Sequence, residues 1–107
     1  MNLIWDKQAK QRVDDTAEYI AAHFGRRIAV EFLTNVLHSV ELLAQMPYLG
    51  QEEPLLRKSK WHFRSLVIHR QNKLIYLVRN DEILIADFWD TRMNPKTLAG
   101  RLITGEE

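Results

Sequence analysis

Basic side chains concentrate in one part of the sequence, where they could bind phosphate groups or an acidic partner. The chain has 107 residues and a formal net charge of +1, but residues 48–79 carry seven Lys and Arg against two Asp and Glu. Such a focus of positive charge attracts nucleic-acid phosphates and acidic protein surfaces. The alternative is a solvated loop and strand edge, since edge strands are often protected by Lys and Arg. The seven residues are Arg57, Lys58, Lys60, Arg64, Arg70, Lys73 and Arg79.

Motifs for other kinds of chemistry are missing from the sequence. It contains no Gly-rich phosphate loop, no His-Glu-x-x-His and no Gly-x-Ser-x-Gly. It has no cysteine, and its four histidines are scattered, so we expect neither a metal site nor a cofactor. We interpret His23, His38, His62 and His69 as surface or helix-end residues.

The composition is that of one soluble domain over residues 1–107. Hydrophobic residues make up 46% and charged residues 27% of the chain. No run approaches the roughly 18 apolar residues of a membrane span. Met1–Asp6 lacks the charged start and long apolar run of a signal peptide. We therefore expect a cytoplasmic protein with no membrane partner.

The second half of the chain predicts three strands joined by two short turns. β-Branched and aromatic residues are dense in the strands, and Asn and Asp in the turns tolerate the left-handed backbone of short hairpins. The pattern predicts an antiparallel meander. Its strands are expected at 61–69, 73–79 and 82–90, with turns at 70–72 and 80–81.

The first half predicts a short strand and two amphipathic helices that cover one face of the meander. Residues 2–5 read as a strand that joins the sheet, and Asp6 is a suitable N-cap. Apolar residues at helical spacing predict helices at 7–24 and from Arg26 or Arg27 to about Met46, separated by Gly25. So short a link forces an antiparallel helical hairpin. The fold class is therefore α+β.

The remaining segments are predicted to be mostly irregular. Residues 47–60 read as a loop, residues 95–102 as a brief helical turn, and residues 98–107 as a frayed tail. The second face of the sheet is expected to be partly wet or covered by a partner. Aromatic residues on the strands are expected to be core or partner contacts; they are Trp61, Phe63, Tyr76, Phe88 and Trp89.

The sequence leaves two alternatives for the face of the sheet that packs against the helices. Either Leu74, Tyr76 and Val78, or Ile75 and Leu77 from the opposite face, should lie beneath the helical hairpin. The hairpin residues expected above them are Val13, Ile20, Phe32, Val36 and Val40.

Three stretches within this order of elements point to a known superfamily. They are 63–67 (Phe-Arg-Ser-Leu-Val), 73–78 (Lys-Leu-Ile-Tyr-Leu-Val) and 90–98 (Asp-Thr-Arg-Met-Asn-Pro-Lys-Thr-Leu). Over roughly residues 3–98 the chain resembles the RelE/ParE superfamily of toxins from type II toxin–antitoxin modules. The resemblance implies a growth inhibitor held inactive by a cognate antitoxin that wraps the sheet and the helical hairpin.

The superfamily divides by target, and the resemblance leaves two targets open. RelE-like members cleave messenger RNA on the ribosome, whereas ParE-like members poison DNA gyrase without a known hydrolytic site. Leu66 stands where RelE-like nucleases tend to keep a basic residue, and no Tyr or His follows Arg92. These departures favour a non-enzymatic, gyrase-directed toxin, with the endoribonuclease as the alternative. An inactive interaction module of the same fold is a third interpretation.

The resemblance also implies candidate site residues. Arg64, Lys73 and Arg92 are the catalytic candidates of a nuclease, because they could stabilise charge on phosphorus. The same three residues and Arg79 are expected to contact the target. The residues expected to contact the antitoxin are Arg57, Lys60, Trp61 and Arg64. A structural alternative for Arg92 is an ion pair with Asp87 or Asp90 that pins the C-terminal segment.

Overall fold

In a computed structural model, which describes residues 1–69 and 71–103, three helices pack on a five-stranded sheet and confirm the predicted α+β class. The helices are α1 (Lys7–Phe24), α2 (Arg26–Gln45) and α3 (Pro95–Leu102). The strands are β1 (Asn2–Trp5), β2 (Gln51–Glu52), β3 (Arg64–His69), β4 (Asn72–Arg79) and β5 (Glu82–Asp90), and a 3₁₀ turn covers Pro54–Leu56. No described helix is both long and apolar enough to cross a membrane.

The sheet has the order β1-β5-β4-β3-β2. Strand β1 joins the sheet, as predicted, and it pairs in parallel with β5. The pairs β2–β3, β3–β4 and β4–β5 are antiparallel. The β4–β5 hairpin turns through Asn80 and Asp81 with φ angles of 51° and 62°. Both residue types tolerate this left-handed backbone, which explains why the turn was recognisable in the sequence.

Local signals define both ends of α1. The carboxylate of Asp6 accepts hydrogen bonds from the backbone N–H groups of Gln8 and Ala9 at 3.0 and 3.1 Å and caps the helix. Gly25, at φ 95°, ends it and starts α2. A φ in this region strains any residue with a Cβ atom, so glycine suits the one-residue link. The two helices therefore form the predicted hairpin.

The helical hairpin covers the face of the sheet that carries Leu74 and Tyr76, which is the first of the two predicted alternatives. These side chains are fully buried in a first core with Phe32, Val36 and residues of β5. Phe32 meets Phe88 edge to face, with ring centroids 5.8 Å apart. Residues Ile20 and Val78 pack against the margin of this core.

The opposite face of the sheet is covered by other segments of the chain. The prediction that this face is partly wet or covered by a partner is therefore wrong. A second core there contains Ile75, Leu77 and Trp89 of the sheet, Leu56 and Phe63 of the β2–β3 connection, and Leu98 of α3. Trp89 and Leu98 are almost fully buried. Leu56 comes from the predicted loop and Leu98 from the predicted tail, whereas Phe63 had been predicted in the first strand of the meander.

Three predicted boundaries need correction. The strand predicted at 61–69 begins at Arg64, because residues 61–63 form a tight turn. In this turn the N–H of Phe63 donates a hydrogen bond of 3.1 Å to the carbonyl of Trp61. The predicted loop 47–60 contains β2 and the 3₁₀ turn. The tail predicted from residue 98 starts too early, since residues 98–102 belong to α3 and Leu98 is buried. Arg70, in the predicted turn, and residues 104–107 lie outside the described residues.

Candidate functional site

A groove opens between the helical hairpin and the end of the sheet where β3 meets β4. It encloses about 740 Å³ and has walls from α1, α2, the end of β5 and the segment that follows it. Tyr19, Phe24 and Met93 line it and are 57%, 66% and 41% exposed. Its further apolar lining consists of Ile20, Ile28, Phe32 and Phe88. Exposed aromatic and apolar side chains around one concave surface are typical of a protein-binding site.

One end of the groove is bounded by two arginines that share a buried carboxylate. Asp87 is fully buried; Arg12 of α1 lies 2.8 Å from its Oδ1 and Arg101 of α3 lies 3.1 Å from its Oδ2. The Arg101 guanidinium also lies 5.5 Å from the ring centroid of Trp89. These pairs tie α1 and α3 to β5, since a buried charge is stable only when it is paired and hydrogen-bonded.

Arg92 lines the same groove and pairs with Asp90, as one structural alternative predicted. Its Nε and a terminal nitrogen donate to the two Asp90 oxygens at 3.1 and 2.7 Å, and its backbone N–H adds a bond of 2.9 Å. These bonds lower the pKa of the Asp90 carboxyl and raise the pKa of Arg92. The Arg92 side chain remains 68% exposed. The pair therefore fixes a cation at the surface while neutralising much of its charge.

Arg64 is held at the other end of the first core. Its guanidinium donates to the Gly50 carbonyl at 2.7 Å and lies 4.9 Å from the ring centroid of Tyr48. The Gly50 N–H in turn donates to the Tyr76 hydroxyl at 2.8 Å. Burial raises the pKa of Tyr76, although the bond from Gly50 and the charge of Arg64 act in the opposite direction. Arg64 thus secures the segment after α2 to the sheet.

Lys73 forms an ion pair with Glu53 and is withdrawn from the surface. The Glu53 side chain is fully buried, and that of Lys73 is 14% exposed. The second Glu53 oxygen accepts the backbone N–H of Leu55 at 2.9 Å. Lys73 therefore anchors the 3₁₀ turn to the sheet. This geometry does not present its ammonium group to a target.

Trp61 has two cations beside its ring on the side of the second core. Trp61, Lys60 and Arg79 are exposed, and so are Arg57 and Lys58, which are near Trp61 in sequence. Lys60 Nζ and the Arg79 guanidinium carbon lie 5.4 and 5.3 Å from the Trp61 ring centroid. At these distances both cations are attracted by the aromatic ring.

The sheet separates the four basic residues predicted to form a target site. In β4, Lys73 is two residues from Ile75 and Arg79 is two residues from Leu77, so both cations lie on the second-core face. In β3, Arg64 is two residues from Leu66, so it lies on the first-core face, and Arg92 lines the groove on that side. No single site therefore contains all four.

Arg12, Arg101 and the groove were not predicted from the sequence, and Asp87 was named only as a possible partner of Arg92. One signal for Asp87 was present, since a carboxylate interrupts the apolar run Ile83–Trp89 and must be paired if the strand is buried. Its partners could not be named, because Arg12 is 75 residues away. Within residues 1–69 and 71–103, no three His, Asp or Glu side chains form a group that could hold a metal ion.

Comparison with known proteins finds a matching family and a similar solved structure. The model of the family described as the ParE toxin of the type II toxin–antitoxin system parDE matches residues 3–95. A solved structure described as a chromosomal ParDE TA system from P. aeruginosa is similar with a TM-score of 0.69 and 21% sequence identity, over 84% of this chain and 95% of that chain. No curated protein matches the chain. The family match stops near the start of α3.

Proposed function

The chain belongs to the ParE toxins of type II toxin–antitoxin systems, and we propose that it inhibits growth by acting on DNA gyrase in the cytoplasm until a cognate antitoxin neutralises it. The family match confirms the superfamily resemblance found in the sequence. An antitoxin partner is in keeping with the ParDE system that the fold resembles. Gyrase is the target that the two sequence departures from RelE-like nucleases favour.

The groove is the observation that carries the antitoxin part of this proposal. Tyr19, Phe24 and Met93 expose apolar surface around a concavity, and burial of such surface is the main favourable term in protein association. An amphipathic segment of the antitoxin would fill the groove with its apolar side chains. The contacts expected from sequence at Arg57, Lys60, Trp61 and Arg64 remain a prediction, and the groove adds a second and more apolar surface.

The arrangement of the basic residues supports a toxin without nuclease activity. Phosphoryl transfer needs several positive groups and a proton acceptor around one phosphate. Arg64 is bonded to Gly50, Lys73 is paired with Glu53, and these two cations lie on opposite sides of the sheet. They would not act on one phosphate together.

One observation favours the alternative, a ribosome-dependent endoribonuclease. Tyr19 and His69, whose side chains can carry protons, line the same groove as Arg92. The sequence after Arg92 contains no Tyr or His, so these two groups come from other parts of the chain. A nuclease would therefore use the groove, whereas a gyrase inhibitor would not need His69.

Inducible expression of the chain without its antitoxin tests both functions. Under the proposal, growth stops with DNA-damage signalling, and the purified toxin inhibits supercoiling by gyrase. Under the alternative, ribosome-bound messages are cleaved, and His69→Ala or Tyr19→Phe slows the cleavage. Growth without arrest, from a folded protein, would favour the inactive interaction module.

A further inference from the structure

Arg12 and Arg101, which we call the arginine pair, share a single carboxylate at one end of the groove. Nη1 of Arg12 lies 2.8 Å from Oδ1 of Asp87, and Nη1 of Arg101 lies 3.4 Å from the same oxygen and 3.1 Å from Oδ2. The two guanidinium groups are therefore close neighbours. Because arginine stays protonated, one carboxylate balances only one of the two positive charges.

A β-bulge lets Asp87 be reached from both sides of the sheet. The pairing of β4 with β5 shifts its register just before Asp87 and leaves Ala86 as an extra residue in β5. Such a bulge changes the direction of the side chains beside it. Arg12 comes from α1, which covers the first core, and Arg101 comes from α3, which covers the second. The bulge therefore brings together two cations that the sheet would otherwise separate.

Asp87 does not use all the donors that the arginine pair offers. Its Oδ1 also accepts the backbone N–H of Phe88 at 2.8 Å. A guanidinium group has five N–H donors. In the described part of the chain, Arg101 donates through Nη1 alone, whereas Arg12 donates through Nη1 and, to Gln8, through Nη2. The Nε–H group of each arginine is thus left for a second acceptor.

Both guanidinium groups are held in place beside the groove. Arg12 and Arg101 line it, and their side chains are 28% and 24% exposed. Arg101 also lies 5.5 Å from the ring centroid of Trp89, which is almost fully buried. Cations that are already fixed by Asp87 and by an aromatic ring lose less conformational entropy when they bind an anion. The arginine pair is therefore preorganised for an anion that enters from the groove.

The other carboxylates that line the groove do not neutralise the arginine pair. Asp15 accepts a hydrogen bond from the Gln11 side chain at 2.8 Å, and Glu31 pairs with Arg27 at 3.5 Å. In the part of the chain that the structure describes, neither forms an ion pair with Arg12 or Arg101. The third carboxylate, Asp90, is bound by its own arginine. One end of the groove therefore keeps an excess of positive charge.

We propose that the arginine pair is the receptor for an Asp or Glu side chain of the antitoxin. This inference rests on the proposed function, in which an antitoxin segment fills the groove. Its apolar side chains would pack on Tyr19 and Phe24, and its carboxylate would accept hydrogen bonds from both guanidinium groups. A protein segment suits this groove better than a nucleic acid, because arginine beside exposed aromatic side chains is typical of protein interfaces. Two carboxylates and two guanidinium groups would then balance in charge.

Two small probes of similar shape test the site on the unaltered toxin. Hydrocinnamate and hydrocinnamamide both carry an aromatic ring, but only hydrocinnamate has a carboxylate. In an NMR titration, hydrocinnamate should shift the Nε–H signals of Arg12 and Arg101 and bind about tenfold more tightly than the amide. This preference should decrease at high salt. Equal affinities of the two probes would overturn the proposal.

Arg101→Gln should remove the preference for hydrocinnamate. The fold should be retained, because Asp87 keeps Arg12 and the N–H of Phe88 as partners. Arg12→Gln should have the same effect and serves as the second variant if Arg101→Gln does not fold. Lys10→Gln is the matched control, since Lys10 is exposed on α1 and does not line the groove. Equal losses of preference in Arg101→Gln and Lys10→Gln would show an effect of net charge only and would overturn the proposal.

Titration with the cognate antitoxin separates this proposal from the proposed function. Arg101→Gln should bind the antitoxin about tenfold more weakly than the parent does. If Phe24→Ser weakens the complex and Arg101→Gln does not, the antitoxin uses the groove without the arginine pair, so this proposal is wrong and the proposed function stands. If the chain binds the antitoxin through the arginine pair but does not arrest growth, the proposed function fails and the carboxylate site stands.

A nucleic acid at the same site is the remaining outcome. If a DNA or RNA oligonucleotide shifts the Nε–H signals of Arg12 and Arg101 at a lower concentration than hydrocinnamate does, the arginine pair binds phosphate. The assignment to an antitoxin carboxylate would then be wrong.

Discussion

The backbone of Gly50 lies against the side chain of Tyr76, with its N–H 2.8 Å from the tyrosine hydroxyl. Tyr76 is fully buried in the first core, so its only polar group needs a partner there. The Gly50 carbonyl accepts the Arg64 guanidinium at 2.7 Å. Gly50 thus joins a core residue of β4 to a basic residue of β3 and positions the chain between α2 and β2.

Gly50→Ala should destabilise the fold. An added Cβ would lie 2.5 Å from the Ser65 carbonyl oxygen and 2.7 Å from the Tyr76 hydroxyl, so backbone must move. We expect a loss of roughly 1–3 kcal/mol in the free energy of unfolding, measured by denaturant titration. Gly100→Ala is the control: a Cβ there meets no atom within 4 Å, and alanine in α3 should stabilise by up to about 1 kcal/mol. Equal stability of Gly50→Ala and the parent would contradict the close approach.

Phe32→Ala should show that the helical hairpin is held by the first core. The Phe32 side chain is 8% exposed and contacts Phe88 edge to face. Its truncation should lower the free energy of unfolding by about 3–5 kcal/mol. Leu37→Ala on the same helix removes a side chain that is 61% exposed and should change stability by less than about 0.5 kcal/mol. Similar midpoints of unfolding for both variants would show that α2 does not pack as described.

The parts of the fold that were predictable from sequence have local causes. Asp6 caps α1, Gly25 separates the helices, and Asn80 and Asp81 fit a tight hairpin turn. The first core follows from residues repeated at helical and strand spacing. The second core does not follow in the same way, because Leu56 and Leu98 stand singly in segments without a period. Their burial depends on contacts between distant parts of the chain, which no local pattern encodes.

The candidate site was less predictable for the same reason. Sequence singled out basic residues by type, but their roles depend on partners far along the chain. Lys73 was expected to contact the target, but it is paired with Glu53. Arg12 was not predicted, because its partner Asp87 lies 75 residues away. Arg92 was the exception, since its partner Asp90 is two residues away and was named in advance.

The Asp90 carboxyl should titrate below the usual range of an aspartate. Hydrogen bonds from Arg92 lower its pKa, so the pair stabilises the fold above the ordinary aspartate pKa, and this contribution is lost as pH falls through the lowered value. Carboxyl-carbon NMR titration should show that Arg92→Ala moves the Asp90 pKa up towards its ordinary value. Arg27→Ala should leave it unchanged. An Asp90 pKa that does not respond to Arg92→Ala would mean that the pair does not form in solution.

Antitoxin binding should depend on the apolar side chains of the groove. Phe24→Ser should weaken the complex with little effect on stability, because Phe24 is 66% exposed in the free toxin. Val30→Ser is the control, since Val30 is 51% exposed on α2 and does not line the groove. Isothermal titration calorimetry with the cognate antitoxin measures the affinity of each variant. If the two variants bind the antitoxin alike, the antitoxin lies elsewhere, and the basic residues predicted from sequence become the first place to look.

Arg92→Ala distinguishes a functional cation from a structural one. Arg92 is held by Asp90 but remains 68% exposed at the groove, so it could contact gyrase without any change in the fold. If it contacts the target, the variant should lose growth arrest and inhibition of supercoiling, while the fold loses only the small contribution of one exposed ion pair. Arg92→Lys should restore them only in part, because lysine keeps the charge but cannot match the two-pronged bond to Asp90. A variant that loses stability and toxicity together would instead show that the Arg92–Asp90 pair pins the segment between β5 and α3.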